Sequence, residues 1–168
     1  MPEQPLRPGF NAVYGGGVAA ADSPAAPPRT LGRESVALLA EVPLFAGLSH
    51  RHLGKLAKIA SSKRFARGAP VVRVGEAAGA FYVILDGQVR VETQGPGFEL
   101  KSGDFFGEMA LIDGEQRSAT VVTLSDVHVM MIARSKFLKL LESEPKITLA
   151  IMATLSRRLR GAQGAATL

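Results

Sequence analysis

The 168-residue sequence contains no cysteine. That absence excludes disulfides, thiolate metal sites and a cysteine nucleophile, and it suits a cytoplasmic protein. Long hydrophobic runs are also missing. No stretch approaches the ~18 apolar residues of a membrane-spanning helix, and the N-terminus lacks the charged-then-apolar pattern of a signal peptide. Histidine is scarce, at three residues. His50 and His52 stand two apart on an expected helix and point away from each other, so they do not form a metal site. His128 is the one histidine in the expected strands, too few for the histidine–carboxylate cluster of a barrel metalloenzyme. No nucleophile–base pair is evident either. Nothing in the sequence therefore points to an enzyme, a metal or a cofactor.

Aromatic residues make up only 6% of the chain, but 46% is apolar, enough for an ordinary core. The length allows one domain plus an appendage. Residues 1–32 are dominated by Pro, Gly and Ala, including Gly15–Gly17 and Pro27-Pro28. Such a segment has too little bulky apolar surface to offset the entropy of ordering, which predicts a flexible tail. The alternative is a docking arm anchored by Phe10, Val13 and Tyr14. The net charge of +5 fits a solvated basic surface; an anionic partner such as nucleic acid is the other reading.

From Gly32 the apolar spacing becomes helical. Val36, Leu38, Leu39 and Val42 mark a helix ended by Pro43, and Ser49 is placed to cap a second helix carrying Leu53, Leu56, Ala57 and Ile59. Between Lys63 and Ala133 the period falls to two. Short runs at 63–66, 71–74, 81–85, 89–92, 98–101, 120–124 and 128–132 are separated by glycine-containing turns. Asp86-Gly87 between apolar runs reads as a hairpin turn. Many short strands favour an antiparallel barrel or jelly roll. Beyond Ile132 helices return. Phe137, Leu138, Leu140 and Leu141 form a short segment. A longer helix follows Pro145, with Ile147, Ile151, Leu155 and Leu159 as its stripe and Gly161 and Gly164 interrupting it.

The most informative stretch is Gly103–Val121, which contains FGEMALIDGEQRSATV. Gly107 lets backbone come close to a ligand without a Cβ in the way. The turn after it leaves N–H groups that suit an anion. Arg117 adds a planar, permanently charged fork. Glu108 has the wrong sign for a phosphate but suits a hydroxyl donor. A carboxylate for a sugar hydroxyl and an arginine plus amides for a phosphate together describe a nucleotide pocket.

This stretch resembles the phosphate-binding cassette of the cyclic nucleotide-binding domain family, which includes catabolite-activator-type regulators, kinase regulatory subunits and gated channels. VPLFAGLSHRHLGKLAKIA and FYVILDGQVRV resemble that family's helical lead-in and central hairpin. The resemblance implies an α+β, mainly β fold. An eight-stranded antiparallel jelly-roll barrel would be flanked by N-terminal helices and a C-terminal lid helix. It would occupy residues 33–161, between the tail at 1–32 and a short tail at 162–168. It implies that Glu108 holds the ribose 2′-hydroxyl and Arg117 the cyclic phosphate. Gly107, Met109, Ala110 and Ala119 would complete the cradle from the backbone, and Ser118 would add a hydroxyl. Val91, Leu155 and Arg158 are expected around the base, and Arg158 is expected to pair with Glu108 when the lid closes. The alternative for Arg158 is a solvated face shared with Arg157.

The adenine-contacting threonine–serine pair of catabolite-activator-type regulators is replaced here by Ala162 and Gln163. Ser118 favours cAMP as ligand, with cGMP the alternative. After the last helix only Gly161–Leu168 remain, too few for the helix-turn-helix that such regulators carry. The expectation is a stand-alone sensor acting on an effector protein or through its own oligomer. The rival reading is a scaffold or assembly subunit that keeps the fold without a ligand.

Overall fold

The computed structural model describes residues 33–164. The proposed N-terminal tail or docking arm, and residues 165–168, lie outside that range. The first elements are helix α1 (Arg33–Ala40) and helix α2 (His50–Ile59), joined by a 3₁₀ turn at Pro43–Phe45. Pro43 opens that turn, a place where its missing N–H and fixed φ do no harm. Ser49 caps α2 as its sequence position predicts, its Oγ accepting from the His52 N–H at 3.2 Å.

Eight strands follow: β1 (Ser61–Phe65), β2 (Pro70–Val72), β3 (Ala80–Asp86), β4 (Gln88–Glu92), β5 (Phe98–Lys101), β6 (Phe105–Phe106), β7 (Thr120–Thr123) and β8 (Val127–Ala133). Their pairings are antiparallel and form two four-stranded sheets, ordered β1-β8-β3-β6 and β2-β7-β4-β5. Among the described residues no ladder closes the two sheets into one barrel. Seven strands match the period-two runs of the sequence. The eighth, β6, is only two aromatic residues long and has no period to detect.

The Asp86-Gly87 hairpin does not form. β3 pairs with β8 and β6, whereas β4 pairs with β5 and β7, so this turn carries the chain from one sheet to the other. Gly87 has a φ of 95°, as the dipeptide suggests, but its flanking strands already have other partners. The local hairpin is the next one, β4–β5, with Val91 opposite Phe98.

β3 explains the fold's two cores. Tyr82 and Ile84 join Val89, Val91, Leu100, Phe106, Val121 and Val129 between the sheets. Phe81 and Val83 point the other way, into a helical cluster with Leu39, Phe45, Leu56, Phe137, Ile147 and Ile151. A strand covered on both faces reads as an unbroken apolar run, which is what 80–85 shows.

Helix α4 (Arg134–Ser143) and helix α5 (Pro145–Gly164) close the helical side. Glu144 sits at their elbow and forms an ion pair with Lys55 of α2. α5 runs through Gly161, beyond its expected end. An interior glycine costs a helix only about 1 kcal/mol, and Gly161 does not take the left-handed φ of a helix-ending glycine. The expected apolar stripe also fails halfway. Ile147 and Ile151 are buried and Leu155 is half-buried, but Leu159 is 60% exposed, as is Met152. A strict four-residue repeat advances about 40° per step around an α-helix, so the stripe rotates off the packed face. Thr154 takes the buried place instead, with its Oγ1 beside Gly47.

Candidate functional site

The candidate site is assembled around the turn between β6 and β7. Gly107, with a φ of 84°, turns the chain out of β6. Glu108 and Met109 then lead into helix α3 (Ala110–Asp113), which ends at Gly114 with a φ of 65°. The helix begins its hydrogen bonding at Leu111, whose N–H donates to the Glu108 carbonyl at 3.2 Å. The amides ahead of Leu111 head the turn and are not used by the helix ladder. Gly107 and Ala110 are buried and Met109 is half-buried.

A polar loop returns the chain to β7. The Arg117 backbone is fixed on both sides: its N–H donates to the Glu76 carbonyl and its carbonyl accepts from the Gly75 N–H, each at 2.9 Å. This pairing directs the side chain inward. The Arg117 side chain is only 2% exposed. Its Nη2 donates to the Ala80 carbonyl at 3.2 Å, and its Cζ lies 5.8 Å from the Tyr82 ring centroid. Among the described residues, Nε and Nη1 have no hydrogen-bond partner. Burial pulls the guanidinium pKa down to about 9, against the fields of Tyr82 and Glu76, which hold it up.

Glu108 is 1% exposed, and among the described residues neither carboxyl oxygen has a hydrogen-bond partner. Burial raises its pKa to about 7, opposed by its own backbone amide and by the charge of Arg158. Because this group holds its proton in the folded state and releases it on unfolding between about pH 4.5 and 7, its contribution to stability is greatest below that window. Stability is expected to fall as pH rises through the window, with a slope of up to about 1.4 kcal/mol per pH unit. Glu108→Gln should remove that slope. Urea unfolding of both proteins at pH 5, 6, 7 and 8 checks this, and parallel curves would contradict it.

Glu108 and Arg117 are therefore a buried carboxyl group and a buried guanidinium that are not paired with each other. The other expected positions are more scattered. Ala119 is buried just ahead of β7, whereas Ser118 is exposed. Val91 lies on β4 in the intersheet core, opposite Val121. Leu155 is on α5, against the helical cluster. The Arg158–Glu108 pair expected on closure is not made in this structure. Arg158 is near enough to act on the carboxylate's charge, and its Nη1 lies 3.9 Å from Met109 Sδ.

Sequence reading missed the groups that seat Arg117. Tyr82 lies under the guanidinium and stacks on Phe106, with ring centroids 4.9 Å apart. The Ala80 and Glu76 carbonyls are backbone groups with no side-chain signature. A phenol hydroxyl within the apolar run of β3 was the one available signal.

A family model described as the cyclic nucleotide-binding domain matches residues 62–144. A cyclic nucleotide-gated potassium channel of Mesorhizobium japonicum is 37% identical over 129 residues, 77% of this chain and 36% of that one. A cAMP-dependent protein kinase regulatory subunit of Aspergillus fumigatus is 34% identical over 108 residues, 62% of this chain and 26% of that one. The present chain thus spans about a third or less of these relatives' length. Among solved structures, the N-terminal domain of a transcriptional regulator from Streptomyces coelicolor superimposes with a TM-score of 0.69 at 26% identity, covering 76% of this chain and 96% of that domain. Through residues 62–144, the chain belongs to the cyclic nucleotide-binding domain family.

Proposed function

We propose that the chain is a cyclic nucleotide sensor, with cAMP as the preferred ligand and cGMP as the alternative. One observation carries the reading. A carboxylate and a guanidinium are both buried, both retain unpartnered polar atoms, and neither satisfies the other. Buried ionisable groups without hydrogen-bond partners are strongly unfavourable. A ligand with a hydroxyl at one end and a phosphate at the other supplies each with its partner. In this reading Glu108 accepts from the ribose 2′-hydroxyl and Arg117 donates through Nε and Nη1 to the cyclic phosphate. The backbone at Gly107, Met109, Ala110 and Ala119 lines the cradle, with the Ser118 hydroxyl at its rim. Val91, Leu155 and Arg158 border the base.

The response runs through packing. Leu111, at the core of α3, shares one apolar cluster with Phe137, Leu140 and Leu141 of α4 and with Ile147 and Ile151 of α5. A ligand that draws the cassette inward repacks this cluster and swings α5 as a lid over the base. It shifts the equilibrium only by its differential affinity for the closed state. We read residues 33–161 as the sensor unit and its two sheets as the halves of a jelly roll. It would act in the cytoplasm, without catalysing a reaction, on an effector protein or a second copy of itself.

Calorimetric titration with cAMP, cGMP and 5′-AMP tests the reading. Micromolar or tighter binding of a cyclic nucleotide, with 5′-AMP much weaker, is the expected result. An absence of heat and of thermal stabilisation with all three would overturn it in favour of a scaffold that keeps the fold.

A further inference from the structure

Arg134 stands outside the pocket but touches the cassette. It is the first residue of α4, at the point where β8 ends, and its own N–H is held by the Gly79 carbonyl at 2.9 Å. Its side chain leaves α4 and reaches back to α3. Nη2 donates to the Ile112 carbonyl at 3.2 Å, in the last turn of that helix. The guanidinium lies against Gly114, where a Cβ would come within 2.9 Å of Cζ, 3.0 Å of Nε and 3.2 Å of Nη2. Gly114 is also the left-handed residue that caps α3, its N–H donating to the Ala110 carbonyl at 3.1 Å. The absence of a side chain at position 114 thus serves two purposes: it permits the φ and admits the guanidinium.

The contact is tight enough to leave Arg134 Nε buried without a partner. A side chain with many rotamers that merely covered the surface would rotate this donor to water. Remaining in place with a desolvated N–H means that packing on Gly114 and the bond to Ile112 together outweigh that loss. Arg134 therefore joins three backbone segments: the residue before β3, the end of the cassette helix and the start of the hinge helix.

We propose that Arg134 is a positioning residue that ties α3 to α4, so that the cassette turn and the hinge move as one body. Leu111 provides a soft apolar contact between these elements; Arg134 provides a directional one. The structural tie stands by itself, whereas its part in signal transmission rests on the nucleotide reading above.

Amide hydrogen exchange separates the two. In nucleotide-free protein, Arg134→Met is expected to speed exchange at Ile112, Asp113 and Gly114 on the order of tenfold, while intersheet amides such as those of Val89 and Val129 keep their parent rates. Arg134→Lys, which retains the charge and a donor, should recover part of the protection. Gly114→Ala, whose Cβ displaces the guanidinium, should reproduce the Met variant's faster exchange at Ile112 and Asp113. Unchanged rates in α3, or a uniform rise across all elements, would overturn the tie. With saturating cAMP, protection in the parent should extend from the cassette into α4 and α5. In Arg134→Met it should stop at the cassette although calorimetry still records binding. Equal spread in both proteins would overturn the transmission role. If neither protein binds cAMP, the nucleotide reading fails, and the exchange rates of the free protein still decide the tie.

Discussion

Arg117→Met is expected to weaken cyclic nucleotide binding by about 2–5 kcal/mol while leaving the nucleotide-free protein as stable as the parent, or more so. The two effects have one origin. Arg117 is nearly fully buried, with two of its three guanidinium nitrogens unpartnered, and burial already drags its pKa down to about 9. In the free protein the charge is a liability, offset only in part by the Ala80 carbonyl and the Tyr82 ring. An unbranched apolar side chain of similar reach removes that liability and keeps the packing. In the complex, the same substitution removes a charge-assisted donor pair from a buried phosphate. Thermal melting without ligand and calorimetry with cAMP measure the two halves separately. A residue retained for folding would give the reverse: a lower melting temperature and unchanged affinity in the molecules that fold. That outcome would remove Arg117 from the site.

Gly87→Ala should destabilise the protein by about 2–5 kcal/mol, a large share of the total stability of an ordinary domain. A Cβ at this position would lie 2.4 Å from the Asp126 carbonyl oxygen and 2.9 Å from both Ser125 Oγ and Val127 Cγ2. The nearest of these is backbone leading into β8, so it cannot swing aside. Strain at the positive φ adds to the overlap. Gly103→Ala is the control. Its φ of 91° is nearly the same, but nothing lies within 4 Å of its added Cβ. It should lose only about 1 kcal/mol. Urea unfolding of the two variants isolates the steric part, and equal losses would show that φ alone sets the cost.

The contrast between these glycines also shows what the sequence could reveal. Cassette chemistry was legible because it is written in side chains: Gly107, Glu108 and Arg117 stand at one spacing on one turn, and the structure buries all three. The Ser49 cap and the alternating strands were legible because they are local. Asp86-Gly87 misled because a dipeptide reports its own φ, not the strands that its neighbours will pair with. β6 was too short for a period, and Tyr82 and the Ala80 carbonyl reach Arg117 through tertiary structure alone. The α5 stripe failed geometrically, since residues four apart share a face for only about two turns. Arg134 carried no sequence signal. It is one basic residue among 20, and its contact with Gly114 exists only once β8 has brought it there.

The same strand order governs how the chain can be made. β8 is the central partner of β1 and β3, and among the described residues it is the last strand in sequence. As the polypeptide emerges during synthesis, β4 and β5 can pair at once. β1 has no partner at all, and β3 has only the two residues of β6, until residues 127–133 follow. Through that interval the apolar run of β3 is an open edge, available to another nascent chain as readily as to its own. Completion of the sheet is a late, long-range closure, so refolding belongs in the range of about milliseconds to seconds rather than microseconds. Truncation before β8 should yield aggregates rather than a smaller domain.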